Sequence, residues 1–247
     1  LIRDVLAPIW LEKPETARRV RQRIGTVLDW AYAKGFRKTE APMRSLSKGL
    51  PRQPKKDGHF AAMPYSAVPA FLEKLGERES VGRLALQALI LTAVRSGEIR
   101  GAVWSEVDLD GALWTIPAAR MKMGRTHVVP LSAEAVRAFE AAKKYEAGED
   151  GLIFPGQSSK KPLSDMTLLK ILRDMELTVT VHGFRSAFRD WVAEQTEYPG
   201  EIAEAALAHT VSNRVEAAYR RTDFLEKRRL LMRDWAIFCK NGALSAD

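Results

Sequence analysis

The sequence predicts a mainly α chain with a small antiparallel β-sheet, an α+β arrangement. Three observations predict it. Apolar residues recur at helical spacing through most of the chain, β-type runs flank Asp110-Gly111, and a third such run, "THVVPL", follows at residues 126–131. With 247 residues and 46% hydrophobic content, the chain can bury one large core or two smaller ones.

Taken in order, "PETARRVRQRIGTVLDWAYAKG" opens with Pro14 in a first-turn position and stops at Gly35. Its apolar residues Ala17, Val20, Ile24, Val27, Leu28 and Ala31 make an amphipathic helix, with Arg18, Arg19, Arg21 and Arg23 on the polar side. The next stretch, "LPRQPKKDGHF", concentrates Pro, Gly and Lys as linkers do. The expected organisation is a helical unit over 1–50, a linker over 51–59 and a second domain over 60–247.

Beyond the linker, "MPYSAVPAFLEKL" and "VGRLALQALILTAV" read as helices; the second is apolar on nearly every side, hence central, and ends at Arg95. "VWSEVDLDGALWTIP" then gives a hairpin around Asp110-Gly111. "SAEAVRAFEAAKKY", "SDMTLLKILRDM", "VHGFRSAFRDWVAEQ" and "PGEIAEAALAH" follow as helices with Ser, Asp or Pro near their starts. The last helix, "DFLEKRRLLMRDWAIF", sets Asp223 and Glu226 at capping-box spacing.

Net charge is +8 and lies at the front: residues 1–58 hold 14 Lys and Arg against 6 Asp and Glu, whereas 59–247 hold 25 of each. The pI is about 9.6, which suggests a polyanionic partner contacted along the first unit. A solvated basic face is the plainer alternative. No run reaches the roughly 18 to 20 apolar residues of a membrane span, and the first residues lack a signal peptide's layout. One cysteine, Cys239, and four scattered histidines give neither a disulfide nor a zinc pattern. The expectation is a cytoplasmic, nucleoid-associated protein without metal or cofactor. Because the chain begins on Leu1 inside a helical pattern, a longer polypeptide is expected.

Cutting DNA without a metal needs a nucleophile, fixed cations on the phosphate oxygens and an acid for the departing alkoxide. Arg95, following a buried helix, must be paired, with Glu98 as the nearest partner, or must face an anion. His182 and Arg185 are neighbours on one helix face at its N-terminus. Lys122 lies in the turn before "THVVPL", flanked by Arg120 and Arg125. His209 precedes Tyr219 by ten positions, and Arg220 and Arg221 follow it. Singly, each has a bland reading: an ion pair, an exposed lysine, a tyrosine anchored in the core with a wet tip.

In this order, however, Arg95, Lys122, His182, Arg185, His209 and Tyr219 resemble the active-site set of the tyrosine recombinases. The matching text is "LTAVRSGEIRG", "MKMGRTHVVPLS", "HGFRSAF", "LAHT" and "VEAAYRR", most like the integrases of P4-like prophages and genomic islands. The resemblance implies a tyrosine-recombinase catalytic fold over most of residues 60–240, preceded by a partial helical core-binding domain and lacking the family's arm-binding domain. It implies that Tyr219 is the nucleophile that forms a 3′-phosphotyrosyl link, and that Arg95, Arg185 and His209 bind the phosphate. His182 assists proton transfer from Tyr219, Lys122 protonates the leaving 5′-oxygen, and Glu98 supports Arg95. The implied partners are double-stranded DNA at attachment sites, a homotetramer on that DNA and accessory DNA-bending proteins, with no membrane. Alternatives are a type IB topoisomerase, a non-catalytic DNA-binding regulator, and a metal-dependent nuclease, for which no carboxylate cluster is evident.

Overall fold

A computed structural model of the chain describes residues 1–54, 61–146, 151–158, 161–209 and 223–242. Its contacts divide the chain into two compact units, Leu1–Gly58 and His59–Asp247.

The first unit holds α1 (Ile2–Trp10), α2 (Pro14–Ala33) and α3 (Met43–Gly49). Pro14 opens α2, and the chain leaves it through Gly35, whose φ of 77° suits a residue without a Cβ. Leu6, Trp10, Ala17 and Leu50 form a small core. The Trp10 indole donates to the Pro51 carbonyl at 2.7 Å, and the Gln53 amide donates to the Trp10 carbonyl at 2.7 Å. The start of the Pro-rich stretch is therefore fastened to this unit.

The second unit is mostly helical with one small sheet, as the sequence predicts. Its helices are α4 (Val68–Gly76), α5 (Val81–Thr92), α6 (Ser96–Arg100), α7 (Ala133–Ala142), α8 (Thr167–Asp174), α9 (Gly183–Gln195), α10 (Gly200–Ala206) and α11 (Leu225–Asn241). Ser80 caps α5 by accepting from Arg83 N at 3.3 Å, and Ser132 caps α7 by accepting from Ala135 N at 3.2 Å. α5 is buried on nearly every side and is packed by α4, α7, α8 and α11. It ends three residues earlier than its apolar run suggests: Ala93 turns left-handed at φ 53°, and Arg95 begins α6 instead of closing α5.

The sheet joins β1 (Val107–Asp108), β2 (Leu113–Ile116) and β3 (His127–Pro130) in antiparallel order, with Trp114 opposite Val107 on one side and Val129 on the other. The β1–β2 turn differs from the two-residue Asp-Gly form. Asp108 Oδ1 accepts from Gly111 N at 2.8 Å, and Ala112 takes the left-handed conformation, so the loop runs over four residues.

The last helix lacks the expected capping box. Phe224, at φ 56°, holds the cap position, Asp223 Oδ1 accepts from Leu225 N at 3.2 Å, and Asp223 Oδ2 pairs with Arg228 at 2.9 Å; Glu226 faces Arg229 instead. α11 seats Leu231, Trp235 and Phe238 in the core of its own unit. Trp235 lies 5.0 Å from Trp191 and 5.5 Å from Phe188, centroid to centroid, and its indole donates to the Ile90 carbonyl at 2.9 Å. No described helix is long and apolar enough to cross a membrane.

Two features of this packing are open to measurement. A Cβ on Gly183, at the start of α9, would lie 2.6 Å from the Ala61 carbonyl oxygen and 2.8 Å from Ala62 Cα. Gly183→Ala must move backbone, and a loss of about 1–3 kcal/mol in chemical denaturation is expected; an unchanged midpoint would show that the contact is slack. Burial, followed by the Arg228 charge, pushes His127 in β3 down to about 4. Below pH 6.5 the unfolded chain then binds the proton that the folded chain refuses, so stability falls as pH drops from 6.5 towards 4, by at most about 3 kcal/mol. Denaturant titrations of the wild type and His127→Leu across this range should show a flatter profile for the variant.

Candidate active site

The site is assembled where two helices end and two begin. Arg95 occupies the N-cap of α6, and Glu98, three residues on, returns its carboxylate to that cap. Glu98 Oε2 accepts from Arg95 N at 2.8 Å and Oε1 accepts from Arg95 Nη1 at 2.8 Å. Glu98 is only 4% exposed, so backbone and guanidinium are held by one buried carboxylate. The second guanidinium nitrogen donates to the Ala208 carbonyl at 3.3 Å.

His182 sits at the N-cap of α9 and Arg185 in its first turn. Arg185 is 4% exposed, and among the described residues no carboxylate forms an ion pair with it. Instead, Nη1 donates to the Ala93 carbonyl and Nη2 to the Leu207 carbonyl at 2.6 Å. Ala93 and Leu207 are the C-caps of α5 and α10, whose carbonyls lack intrahelical partners and carry the negative end of the helix dipole. Nη2 also lies 3.1 Å from His209 Nε2, while His209 Nδ1 lies 2.7 Å from Glu204 Oε2.

A cavity of about 510 Å³ is lined by Arg95, Glu98, Arg120, Lys122, His182 and Arg185, among others. A second cleft, of about 400 Å³, shares His182 and Arg185 and extends to Arg189 and His209. Of the three basic residues in the turn before β3, Arg120 is bound to the Glu106 carboxylate at 3.0 and 2.6 Å and to the Glu98 carbonyl at 3.0 Å. Lys122 lines the cavity, is exposed, and has no ion pair among the described residues. Burial and then the Arg185 and Arg95 charges lower His182, which favours its neutral form. Burial, followed by Arg95, brings Arg185 down to about 10, still a cation at neutral pH. The cavity is an electropositive pocket with Glu98 committed to Arg95, suited to an anion whose oxygens meet planar N–H forks.

Thus Arg95, Lys122, His182 and Arg185 converge on one cavity, and His209 joins them through Arg185. Tyr219, with Arg220 and Arg221, lies outside the described residues. In the first unit, Arg18 bonds Gln53 at 2.7 Å and Arg19 bonds Glu15 at 3.1 Å. Arg21 donates to the Met43 carbonyl at 3.2 Å and to Ser47. Arg23 is exposed with no ion pair among the described residues. Sequence reasoning passed over the Arg120–Glu106 and Arg189–Glu204 pairs. The second had a readable signal, since Arg189 follows Arg185 by four residues on one helix face.

The family described as "Phage integrase family" matches residues 65–226, and "Phage integrase central domain" matches residues 1–48. The prophage integrase IntZ of Escherichia coli K12 is 35% identical over 240 residues, covering 95% of this chain and 58% of that protein. The integrase of Enterobacteria phage P4 is 33% identical, covering 91% of this chain and 55% of that one. The chain therefore spans just over half the length of these curated relatives. Among solved structures, a lambda integrase dimer bound to a COC′ core site shares the fold with a TM-score of 0.60 at 18% identity, covering 91% of this chain and 79% of that one. A lambda integrase tetramer bound to a Holliday junction gives 0.62 at 17%, covering 90% and 65%. The chain belongs to the phage integrase family.

Proposed function

We propose that the chain carries the catalytic part of a site-specific tyrosine recombinase, which cleaves and rejoins double-stranded DNA at attachment sites to integrate or excise a mobile element. The observation that carries this reading is the buried Arg185 guanidinium, braced by helix-end carbonyls, without a carboxylate partner among the described residues, and open to a cavity shared with Arg95, Lys122 and His182. A buried cation is costly unless an anion meets it. A DNA phosphate supplies one, and the relatives' integrase names point the same way.

In this reading Arg95 and Arg185 grip the non-bridging oxygens. They neutralise the pentavalent state and favour the ionised form of the Tyr219 phenol. The Tyr219 oxygen bonds to phosphorus as the bond to the 5′-oxygen breaks. The phenolic proton passes to His182, which is kept neutral for that task, and Lys122 gives a proton to the departing 5′-oxygen, which leaves as a hydroxyl. The phosphotyrosyl link conserves the phosphodiester bond energy, so rejoining is the reverse attack by a 5′-hydroxyl and needs no nucleotide. A homotetramer on paired sites, with accessory DNA-bending proteins, would arrange the partner strands.

Three measurements test this. Incubated in EDTA with nicked attachment-site DNA and stopped with denaturant, the wild type should yield a covalent protein–DNA adduct and Tyr219→Phe none. Lys122→Ala should slow adduct formation by roughly 100-fold; an adduct that survives Tyr219→Phe would overturn the assignment. In salt titrations, Arg23→Gln should make the slope of log K against log salt shallower by about 0.9, the value for one phosphate contact. Arg21→Gln, which removes bonds to Met43 and Ser47, should instead lower the stability of the first unit by about 1 kcal/mol in denaturation.

A further inference from the structure

Behind the cavity, a relay of hydrogen bonds runs from Arg185 to residues that the proposed chemistry does not use. Arginine only donates, so at the 3.1 Å contact with Arg185 Nη2 the His209 Nε2 atom accepts. This network places the ring proton on Nδ1, which donates to Glu204 Oε2 at 2.7 Å. The other carboxylate oxygen accepts from Arg189 Nε at 2.7 Å. The His209 backbone N–H donates to the Glu204 carbonyl at 2.9 Å, so the same residue fixes ring and main chain. Burial opposes charge on Glu204, but the hydrogen bonds from Arg189 and His209 outweigh it and hold the carboxyl below its usual range.

We infer that Glu204, braced by Arg189, is a positioning residue that sets the His209 tautomer and aims Nε2 at the phosphate site beside Arg185. The inference rests on the recombinase reading and deepens it. The arrangement also changes the part expected of His209: at rest its Nε2 accepts, and it cannot donate to a phosphate without a second proton. When a phosphate oxygen takes the Arg185 N–H from Nε2, only the doubly protonated ring, its second proton supplied by a buffer acid, can offer Nε2–H to that phosphate, and the Glu204 carboxylate at Nδ1 balances its charge. The charged and titratable groups around the ring are Arg95, His182 and Arg185 on the cavity side, Arg189 and Asp190 from α9, and Glu204 from α10. Among the described residues Glu204 is the one carboxylate bonded to it.

The test labels histidine with ¹⁵N and compares the wild type with Glu204→Leu, which keeps bulk but has no acceptor, and Glu204→Gln, which keeps an acceptor oxygen. In the wild type the His209 nitrogen shifts should report Nδ1–H, and Glu204→Leu should move the proton towards Nε2. On nicked attachment-site DNA, Glu204→Leu should form adduct about 10- to 100-fold more slowly with DNA affinity within about twofold, and Glu204→Gln should recover part of the rate. Unchanged shifts and rate in Glu204→Leu would overturn the inference, as would a rate loss matched by lost DNA affinity. If Glu204→Leu does not fold, Arg189→Leu, which leaves the carboxylate but removes its brace, carries the same two readouts. A wild type that forms no adduct sinks the recombinase reading, while the nitrogen shifts still decide what Glu204 does to His209.

Discussion

The second unit is organised around one buried guanidinium. Arg185 reaches from the first turn of α9 to the closing carbonyls of α5 and α10, so three helices meet on a single planar group. Carbonyls at helix ends need donors, and a cation deep in a protein needs partial negative charge; each requirement satisfies the other. Carbonyls leave the cation's full charge uncompensated, as a carboxylate would not. The same side chain therefore joins the helices and keeps an electrostatic demand that a ligand can meet. Arg95 repeats the principle with a different balance. Glu98 secures it, while its remaining nitrogen meets the Ala208 carbonyl beyond α10, which ties both arginines to one short helix.

Much of this was legible in the sequence, for identifiable reasons. The helices follow apolar spacing and their Ser and Pro starts, and the sheet follows the β-type runs around Asp110 and "THVVPL". The order and spacing of Arg95, Lys122, His182, Arg185 and His209 pointed to a set, and those residues do come together. Harder to read were events decided by tertiary contact. The early end of α5 depends on a left-handed alanine, a conformation that no propensity favours, and it is the turn that aims the Ala93 carbonyl at Arg185. Asp223 looked like half of a capping box and instead serves Arg228, because Phe224 occupies the cap in a left-handed conformation. Main-chain carbonyls as arginine partners leave no trace in residue identity at all.

The charge of the chain divides by task. In the first unit, part of the arginine content is structural: Arg18 and Arg21 bond to Gln53, Met43 and Ser47 within their own unit, whereas Arg23 stays at the surface. In the second unit, equal numbers of acids and bases give no net charge, yet the cavity is positive because its lining holds five basic side chains besides His182 and one carboxylate, and the acids at and beside it are held in ion pairs. Glu98 is held by Arg95 and Glu106 by Arg120. Local pairing, not overall composition, sets the field that an incoming anion meets.

The close approach at Gly183 has a mechanical side. Ala61, one of the first described residues after the Pro-rich stretch, accepts a hydrogen bond from Thr180 N at 2.8 Å and lies against Gly183, next in sequence to His182. The first described residues of the second unit are thus held at the turn that presents His182 and Arg185. Any side chain larger than hydrogen at residue 183 would push that segment away, so the smallness of one residue sets how closely Ala61 and Ala62 lie beside the backbone that carries His182 and Arg185.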